Sequence, residues 1–286
     1  MTGRGQESGV VLVNVLVVLA IAGGLMFLLI STQEAALDRV GRAVDASVAE
    51  QIAFGAEASV VDALRRDLDT RPEADHFNEP WALSVVQDEV ALPTGKFSVK
   101  ITDLQAKFDI NQLSEAALGT QEFASRLMVA TGQPPEAANQ IVRILGVIGR
   151  VAQLEDLAAF GVSSDTLDAL KPYVTALPVV GTINLNTVDP LLLSVMMKNT
   201  SQATQLVRLR EGRGFVTLDD LNNAGVLRPQ NSGFTSNAYH VVVLAQAGAA
   251  EIKMESVMIR RNALGVKAVE ILERKFIYDA PDPLED

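Results

Sequence analysis

The 286-residue sequence predicts an α+β fold in which a long N-terminal helix packs on an antiparallel sheet and a large all-α insert interrupts that sheet. Three patterns indicate this fold. Apolar residues recur at helical spacing through the first part of the chain, alternating apolar and polar segments occur early and late, and the stretch between them returns to helical spacing. Strands on both sides of a helical stretch are explained by one sheet with an insert.

The first element is a helix that changes character along its length. From Val10 to Ile30 there are twenty-one residues without a formal charge, which at about 1.5 Å per residue can cross a hydrocarbon core of roughly 30 Å. Apolar residues then continue at helical spacing to about Leu68, with charged residues between them. We predict one helix whose residues 10–30 span a membrane and whose residues 31–70 pack along a globular domain.

The residues before the apolar run leave three interpretations open. The run is an ordinary signal anchor, a cleaved secretory signal, or a segment preceded by a leader that is removed on the cytoplasmic side. A secretory signal has a shorter apolar core followed by a small-residue cleavage site, and no convincing site of that kind follows Ile30. In the third case the leader is residues 1–9, cleavage follows Gly9, and Val10 becomes the new N-terminus.

Two groups of strands are predicted around the insert. Residues 71–107 begin with a proline-containing loop, after which Phe97, Val99 and Ile101 alternate with polar residues. Similar segments return in residues 236–286, beginning at Tyr239. We therefore expect these two parts of the chain to form one sheet.

The insert, residues 108–235, contains an internal repeat of a helix-hairpin-helix-like unit. QIVRI at 140–144 matches QLVRL at 205–209, LEDLAAFGV at 154–162 matches LDDLNNAGV at 218–226, and DIN at 109–111 aligns with TIN at 182–184. Internal similarity of this kind indicates two copies of one structural unit. The predicted core positions of the two copies are Ile141, Ile144, Leu154, Leu157, Leu206, Leu209, Leu218 and Leu221.

Composition excludes several classes of function. The formal net charge is −11 and the pI is about 4.7, so the surface repels phosphate backbones and general nucleic-acid binding is disfavoured. There is no cysteine, which removes disulfides, thiolate metal sites and cysteine nucleophiles.

Helix-hairpin-helix units that hold DNA need a glycine-containing turn. The second copy has VMMKNTSQA there, with Lys198 as its single cation, and we therefore predict a packing role for these helices.

Residues for catalysis or cofactor binding are scarce. His76 and His240 are far apart in the sequence and neither has a neighbouring nucleophile or base pattern. The acidic pairs Glu155-Asp156 and Asp219-Asp220 begin repeated elements, where carboxylates favour the helix dipole. We predict that the protein is not an enzyme and has no catalytic or cofactor-binding residues. A calcium ion on loop carboxylates stays an open alternative, for which the sequence indicates no ligands because no EF-hand pattern is present.

These features together resemble the K-type minor pseudopilins of the bacterial type II secretion system. The resemblance covers essentially the whole chain and is carried by the Gly-ending leader, the long helix ending LRRDL, the loop DHFNEPWAL, GKFSVKITDLQAKFDINQL before the insert, and INLNT within it. It implies a pilin-like fold, cleavage between Gly9 and Val10 by a prepilin peptidase, and a single-pass inner-membrane protein of a Gram-negative bacterium with its globular part in the periplasm.

The resemblance also implies a role and partners. The subunit would initiate or cap the pseudopilus at its tip, with the I-type and J-type minor pseudopilins, the other pseudopilus subunits and secreted proteins as partners. The alternative is a membrane-anchored helix-hairpin-helix protein that binds DNA in an uptake system.

Most pilin-like proteins carry Glu five residues after the cleavage point, whereas this sequence has Asn14. A neutral residue there fits the first subunit of a filament, because no earlier subunit presents an N-terminal amine that a Glu would have to neutralise. A tolerated polar residue in an ordinary anchor remains the alternative interpretation.

A partner-binding surface is predicted just beyond the membrane. Leu37, Val40 and Val44 form an apolar stripe at helical spacing, in a part of the helix that we do not expect the globular domain to reach. Exposed apolar stripes mark binding surfaces. We expect this one to contact the I-type and J-type subunits.

Overall fold

The computed structural model describes residues 5–70, 73–83, 87–115, 118–263 and 266–278. Its first element, α1 (Gly5–Thr70), is one uninterrupted helix of 66 residues, about 100 Å long at the standard rise. The predicted long N-terminal helix is thereby confirmed. Residues 1–4 of the predicted leader and residues 279–286 lie outside the described residues.

The elements that follow α1 come in three groups. The first is α2 (Pro80–Leu83), β1 (Gln87–Leu92) and β2 (Gly95–Asp103). The second group begins with a 3-10 segment at Leu104–Ala106, just before the insert. The insert itself contains 3-10 segments at Ile110–Glu115 and Leu154–Phe160, together with β3 (Phe108–Asp109), α3 (Leu118–Ala130), α4 (Glu136–Ile148), α5 (Ser164–Leu170), β4 (Val174–Thr175), β5 (Ile183–Asn184), α6 (Pro190–Met197), α7 (Thr200–Arg213), α8 (Leu218–Asn223) and β6 (Ser232–Gly233). The chain closes with β7 (Ala238–Ala247), β8 (Ala250–Ala263) and β9 (Val266–Tyr278).

The main sheet is built from both sides of the insert. Its strand order is β1-β2-β7-β8-β9, and every neighbouring pair is antiparallel. The pairing of β2 with β7 joins residues from before the insert to residues after it, with Asp103 opposite Tyr239 at the end nearest the insert. The α+β class with an antiparallel sheet and a helical insert is confirmed.

One face of the sheet packs on the second half of α1. Small and apolar side chains of α1 recur every three or four residues on the packed face, from Ala49 to Leu64. Alternate residues of the strands point at them, as the two-residue period of a strand requires. These strand residues are Val99, Ile101, Tyr239, Val241, Val243, Ala245, Ile252, Met254 and Met258.

The packed face of α1 also carries the buried carboxylate of Glu57, which is 3% exposed. It accepts hydrogen bonds from Ser256 of β8 and from Arg274 of β9, whose Nε lies 3.0 Å from Glu57 Oε1. A buried charge needs a partner and hydrogen bonds to be tolerated. This group therefore holds α1 at one position along two strands.

The insert has its own hydrophobic core. Buried side chains from α3 to α8 form one cluster that is separate from the cluster between α1 and the sheet. Among the predicted core positions, Ile141, Leu157, Leu206 and Leu221 are fully buried. Leu154 is buried, and Ile144 and Leu209 are half-buried against the same cluster.

The prediction that Leu218 is a core residue is wrong, because its side chain is 45% exposed. Thr217 caps α8, and its hydroxyl accepts from Asp220 N, so that Leu218 is the first residue of an α-helix. Its counterpart Leu154 begins a 3-10 segment instead. The two segments therefore differ in helix type and in the burial of their first residues, whereas Leu157 and Leu221, three positions further on, are buried in both copies.

Each copy of the repeated unit contains the same asparagine clamp, in which one side-chain amide bonds to both backbone groups of a distant valine. The side chain of Asn111 accepts from Val151 N at 2.9 Å and donates to Val151 O at 3.1 Å. Asn186 makes the same pair of bonds with Val216, at 2.7 and 3.1 Å. Each clamp closes a loop between distant residues, because one side-chain amide satisfies both backbone groups of a valine.

The clamps correct the predicted alignment of the copies. Asp109 accepts from Asn111 N at 3.1 Å and Asn184 accepts from Asn186 N at 3.0 Å. Residues 109–111 therefore correspond to 184–186, and the alignment with 182–184 was wrong by two residues. The short parallel pairs β3–β4 and β5–β6 occupy equivalent places in this register. The sequence INLN offers two asparagines, and only the hydrogen bonds identify the equivalent one.

Truncation of a buried leucine in the second copy tests this core. We expect Leu206→Ala to lower the free energy of unfolding by about 2–5 kcal/mol, because it removes buried methyl groups and leaves a cavity. The matched control, Leu218→Ala, should change it by less than about 0.5 kcal/mol. Chemical denaturation of the full chain in detergent, followed by far-UV circular dichroism, measures both. Equal losses in the two variants would contradict the core assignment.

Candidate assembly surface

The globular part of the chain covers α1 only from Asp45 onward. The turn between β7 and β8 rests on the helix there, with Ala249 N donating to Asp45 Oδ2 at 3.1 Å. Gly248 in this turn has a φ of +54°, and a Cβ at that position would overlap the Asp45 carboxylate. From residue 12 to residue 44 every side chain is exposed except the half-buried Ser31.

The predicted partner-binding residues lie just before Asp45 in the sequence, where the globular part no longer covers α1. Leu37, Val40 and Val44 are 71%, 60% and 55% exposed, and their spacing of three and four residues puts them on one helix face. The same face continues to Val48 and Ile52, which pack against the sheet. One apolar stripe is thus covered by the sheet after Asp45 and exposed before it. Its binding role stays a prediction.

The apolar half of α1 is suited to a membrane. Within the described residues, α1 is the one helix that is long and apolar enough to cross a bilayer, as a single-pass anchor requires. Asn14 lies in this half and is exposed. Gly9 and Val10 lie in α1 as well, and the predicted cleavage between them stays a prediction, as does the role of Asn14.

A buried ionic junction lies at the other end of α1. Arg260 of β8 is 5% exposed and pairs with Asp67 of α1, at 2.6 Å from Nη1 to Oδ2, and with Asp75 of the following loop. Its Nε donates to Ser236 O at 3.0 Å, and its guanidinium lies 5.1 Å from the centre of the Tyr239 ring. Arginine suits such a place because its planar group donates several hydrogen bonds at once.

The insert is attached to the same junction. The side-chain nitrogen of Asn184, in β5, donates to Asp75 O at 3.0 Å, to Ser236 Oγ at 2.8 Å and to Asp103 Oδ2 at 3.2 Å. Asp103 also accepts from Thr187 and Ser236. Burial raises the pKa of Asp103, while these hydrogen bonds lower it. Both chain connections of the insert are thereby tied to one buried carboxylate.

Burial also changes the ionisation of two other carboxyls of the junction. It raises the pKa of Asp67 to about 6, against the opposing effect of Arg260. It raises the pKa of Glu79 to about 7, although Glu79 Oε2 accepts from His76 N at 2.9 Å and from Trp81 Nε1 at 2.8 Å. Oxygen atoms of Asp67, Asp75 and Glu79 lie within 4.8 Å of one another. The sequence interpretation assigned no metal ligands, and Arg260 already pairs with two of these groups.

The sequence interpretation missed this junction, although one signal was present. In β8 the residues at even positions, from Ile252 through Ser256 to Arg260, all face the core. An arginine in phase with buried residues must find carboxylates. The pattern alone does not show that Asp67 and Asp75 are those partners, since they lie far away in the sequence.

The structure leaves the hairpin turn of the second copy without a phosphate-binding arrangement. Lys198 is paired with Glu122, at 3.0 Å from Nζ to Oε1. The side chain of Asn199 accepts from Gln202 N at 3.1 Å, so the N-terminus of α7 is capped by the chain itself. The cation and one of the backbone donors on which DNA binding would depend are therefore engaged.

The two histidines and the acidic pairs have structural contacts. The ring of His76 stacks on Phe215 with 4.5 Å between centroids, and His240 Nε2 lies 3.7 Å from Glu255. Asp156 accepts from Gln153 N at 2.9 Å, and Asp220 accepts from Thr217 N at 2.9 Å. Both aspartates therefore cap helical segments, as their place in the repeats predicts. The absence of enzymatic activity stays a prediction.

Removal of the buried guanidinium tests the junction. We expect Arg260→Met to lower the free energy of unfolding by about 3–5 kcal/mol at pH 8, because it leaves Asp67 and Asp75 buried without a counter-charge. The matched control is Arg261→Met, whose side chain is 53% exposed and pairs with Glu270; its loss should be below about 1 kcal/mol. Chemical denaturation of the full chain compares them, and equal losses would show that the junction is not stabilising.

Comparisons with known proteins agree with the fold and with the resemblance. No protein-family model matches the chain. Type II secretion system protein K of Pseudomonas aeruginosa is 27% identical over 255 residues, covering 76% of both chains. The protein of the same name from Pectobacterium carotovorum subsp. carotovorum is 24% identical over 275 residues, covering 80% of this chain and 83% of the relative.

A solved structure has the same fold. A chain in the crystal structure of the GspK-GspI-GspJ complex, from the type 2 secretion system of enterotoxigenic Escherichia coli, matches with a TM-score of 0.63 and 17% identity. The match covers 83% of this chain and 99% of the other. The predicted pilin-like fold is confirmed, and with two homologues of one name the chain is identified as a relative of type II secretion system protein K, the K-type minor pseudopilin.

Proposed function

We propose that the chain is a tip subunit of a type II secretion pseudopilus, anchored in the inner membrane of a Gram-negative bacterium by α1 with its globular part in the periplasm. It begins or caps the filament together with the I-type and J-type minor pseudopilins. The names of the two homologues support the family, and the matching chain is part of a complex that contains GspI and GspJ. The role is one of assembly, without catalysis or a cofactor.

The observation that carries this proposal is the division of the apolar stripe on α1. The helix face that packs on the sheet after Asp45 continues toward the N-terminus as an exposed stripe of Val44, Val40 and Leu37. Burial of apolar area is worth roughly 25 cal/mol per Å², so a neighbouring helix laid on this stripe would extend the contact that the sheet begins. Helices of the partner subunits are the occupants that we propose.

The apolar half of α1 fits the same role. Cleavage after Gly9 by a prepilin peptidase would give a chain that begins at Val10 and has Asn14 as its fifth residue. A charged residue within an apolar helical bundle is costly without a counter-charge. Asn14 needs no neighbouring amine, which supports a place at the start of the filament.

DNA binding is not supported by the comparisons, and the engaged Lys198 and capped α7 argue against it. The insert instead gives the tip a wide end, because it adds a second core beyond the sheet. We propose that this end contacts secreted proteins or the outer-membrane channel.

Charged substitutions in the bare stripe test the assembly role. We expect Val40→Glu combined with Val44→Glu to reduce co-purification of the full chain with the I-type and J-type subunits at least tenfold, because two carboxylates cannot be buried between apolar helices without a large loss. Far-UV circular dichroism should be unchanged, since both residues are exposed.

The matched control places the same charges on the insert. Val147→Glu combined with Val180→Glu alters two valines that are each 88% exposed and lie away from the stripe. This variant should bind both partners as the unaltered chain does. Undiminished binding by the Val40/Val44 variant would remove the stripe from the proposal.

The mass of the mature protein tests processing. In a host with its own prepilin peptidase, protein recovered from membranes should begin at Val10, and Gly9→Leu should retain the leader because the larger side chain crowds the peptidase site. Gly5→Leu, which also alters a leader glycine, should still be cleaved. Intact mass spectrometry distinguishes these results, and an unaltered chain that keeps residues 1–9 would refute the leader.

A further inference from the structure

The loop of residues 73–83, which ends in the short helix α2, follows the stalk helix α1 in the chain and contacts the insert. Asp75 N donates to Phe234 O at 2.8 Å, and Ser236 N donates to Asp75 Oδ2 at 2.6 Å. Further along the loop, Asn78 Nδ2 donates to Gly214 O at 3.4 Å. His76 stacks on Phe215 in the adjacent position. The conformation of this loop therefore sets how firmly the insert is held against α1 and the sheet.

Glu79 holds the loop in that conformation from within. Its Oε2 closes a turn by accepting from His76 N and also accepts from the Trp81 indole. Its Oε1 is buried and has no hydrogen-bond partner. Glu79 as a whole is 1% exposed. An ionised carboxylate with one buried, unsatisfied oxygen is strongly disfavoured, whereas a protonated one has a smaller desolvation penalty.

The groups around Glu79 disfavour its charge further. The carboxyls of Asp67 and Asp75 lie close to that of Glu79 and raise its pKa. By element, the titratable and charged groups of this region are Asp67 of α1, Asp75 and His76 of the loop, Asp103 of β2, Tyr239 of β7 and Arg260 of β8. Arg260 pairs with both Asp67 and Asp75, so its positive charge is shared between those two carboxylates.

We propose that Glu79 is a proton-operated latch: its protonated form keeps the loop of residues 73–83 closed on the insert, and its ionisation loosens that attachment. The latch consists of Glu79, the backbone of His76 and the Trp81 indole. It is a property of the folded chain and does not depend on the assembly role proposed above.

A proton fits this place better than a metal cation. Hard cations such as calcium take six to eight oxygen ligands, whereas Arg260 already donates to Asp67 and Asp75, and Ser236 N donates to Asp75. The positive guanidinium would also repel a cation in the same cluster. Oε1 of Glu79 is buried, and protonation of the carboxyl removes the negative charge that would otherwise have to be desolvated there.

The direction of the pH effect follows from the raised pKa. Burial raises the pKa of Glu79 from its ordinary 4.5 to about 7. Between these two values the folded chain binds a proton that the unfolded chain has released, so stability falls as the pH rises across that interval. The latch is therefore closed below about pH 7 and loosens above it.

Trp81 reports on the latch directly, because it is the one tryptophan of the chain and its indole donates to Glu79. We expect the tryptophan emission of the full chain in detergent to change between pH 5 and pH 9 with a midpoint near 7. Glu79→Gln, which keeps the shape without the charge, should abolish the transition. Glu251→Gln, an exposed carboxyl on β8, should leave it unchanged.

A second variant separates Glu79 from the neighbouring imidazole. His76→Gln should keep the transition, because the bond to Glu79 comes from the backbone N–H of residue 76. A transition that disappears in His76→Gln and persists in Glu79→Gln would assign the titration to His76 and overturn the proposal. The absence of any transition in the unaltered chain would overturn it without reference to a variant.

Hydrogen exchange tests the connection to the insert. After correction for the intrinsic pH dependence of exchange, amides of residues 73–83 and 214–216 should be less protected at pH 8 than at pH 6 in the unaltered chain. In Glu79→Gln their protection should be equal at both pH values. Equal protection in the unaltered chain would refute the latch, as would recovery of protection at pH 8 on addition of millimolar calcium, which would indicate a metal site.

Discussion

The buried guanidinium of Arg260 is the interaction on which the arrangement of the whole molecule depends. It joins the end of α1 through Asp67, the loop through Asp75, and the connection from the insert through the carbonyl of Ser236. A charge at this depth is tolerated only when its partners are in place. Stalk helix, sheet and insert must therefore all be positioned before the junction is satisfied, which makes their relative placement specific.

Two separate cores meet at this junction. The core between α1 and the sheet is organised by the helical period of one face of α1 and the alternation of the strands, whereas the core of the insert is organised by a repeated helical unit. The hydrophobic contact between them is small, and includes Leu177, Ala238 and Ile259. Because apolar burial is non-directional, hydrogen bonds and ion pairs at the junction decide how the two cores are oriented.

The long helix connects three environments with one periodic pattern. Its apolar start suits a membrane, its far half is covered by the sheet, and the stretch around Leu37 to Val44 lies exposed between them. Nothing in the local sequence distinguishes a covered stripe from a bare one, since both have the same spacing. The boundary at Asp45 arises because the turn after β7 ends the sheet there. The extent of the exposed stripe is thus defined by where the globular domain stops.

The sequence by itself determined the elements whose patterns are local. Periodicity indicated the length of α1 and alternation indicated the strands, because both patterns depend on residues a few positions apart. Internal similarity indicated two copies of one structural unit within the insert, because it needs only a comparison of one sequence segment with another. Only the tertiary structure decided the rest. It placed Arg260 beside Asp67 and Asp75, left Leu218 exposed, and showed that Asn186 rather than Asn184 forms the second clamp. Such contacts join residues tens to hundreds of positions apart, and their energies depend on burial and geometry, which no local pattern encodes.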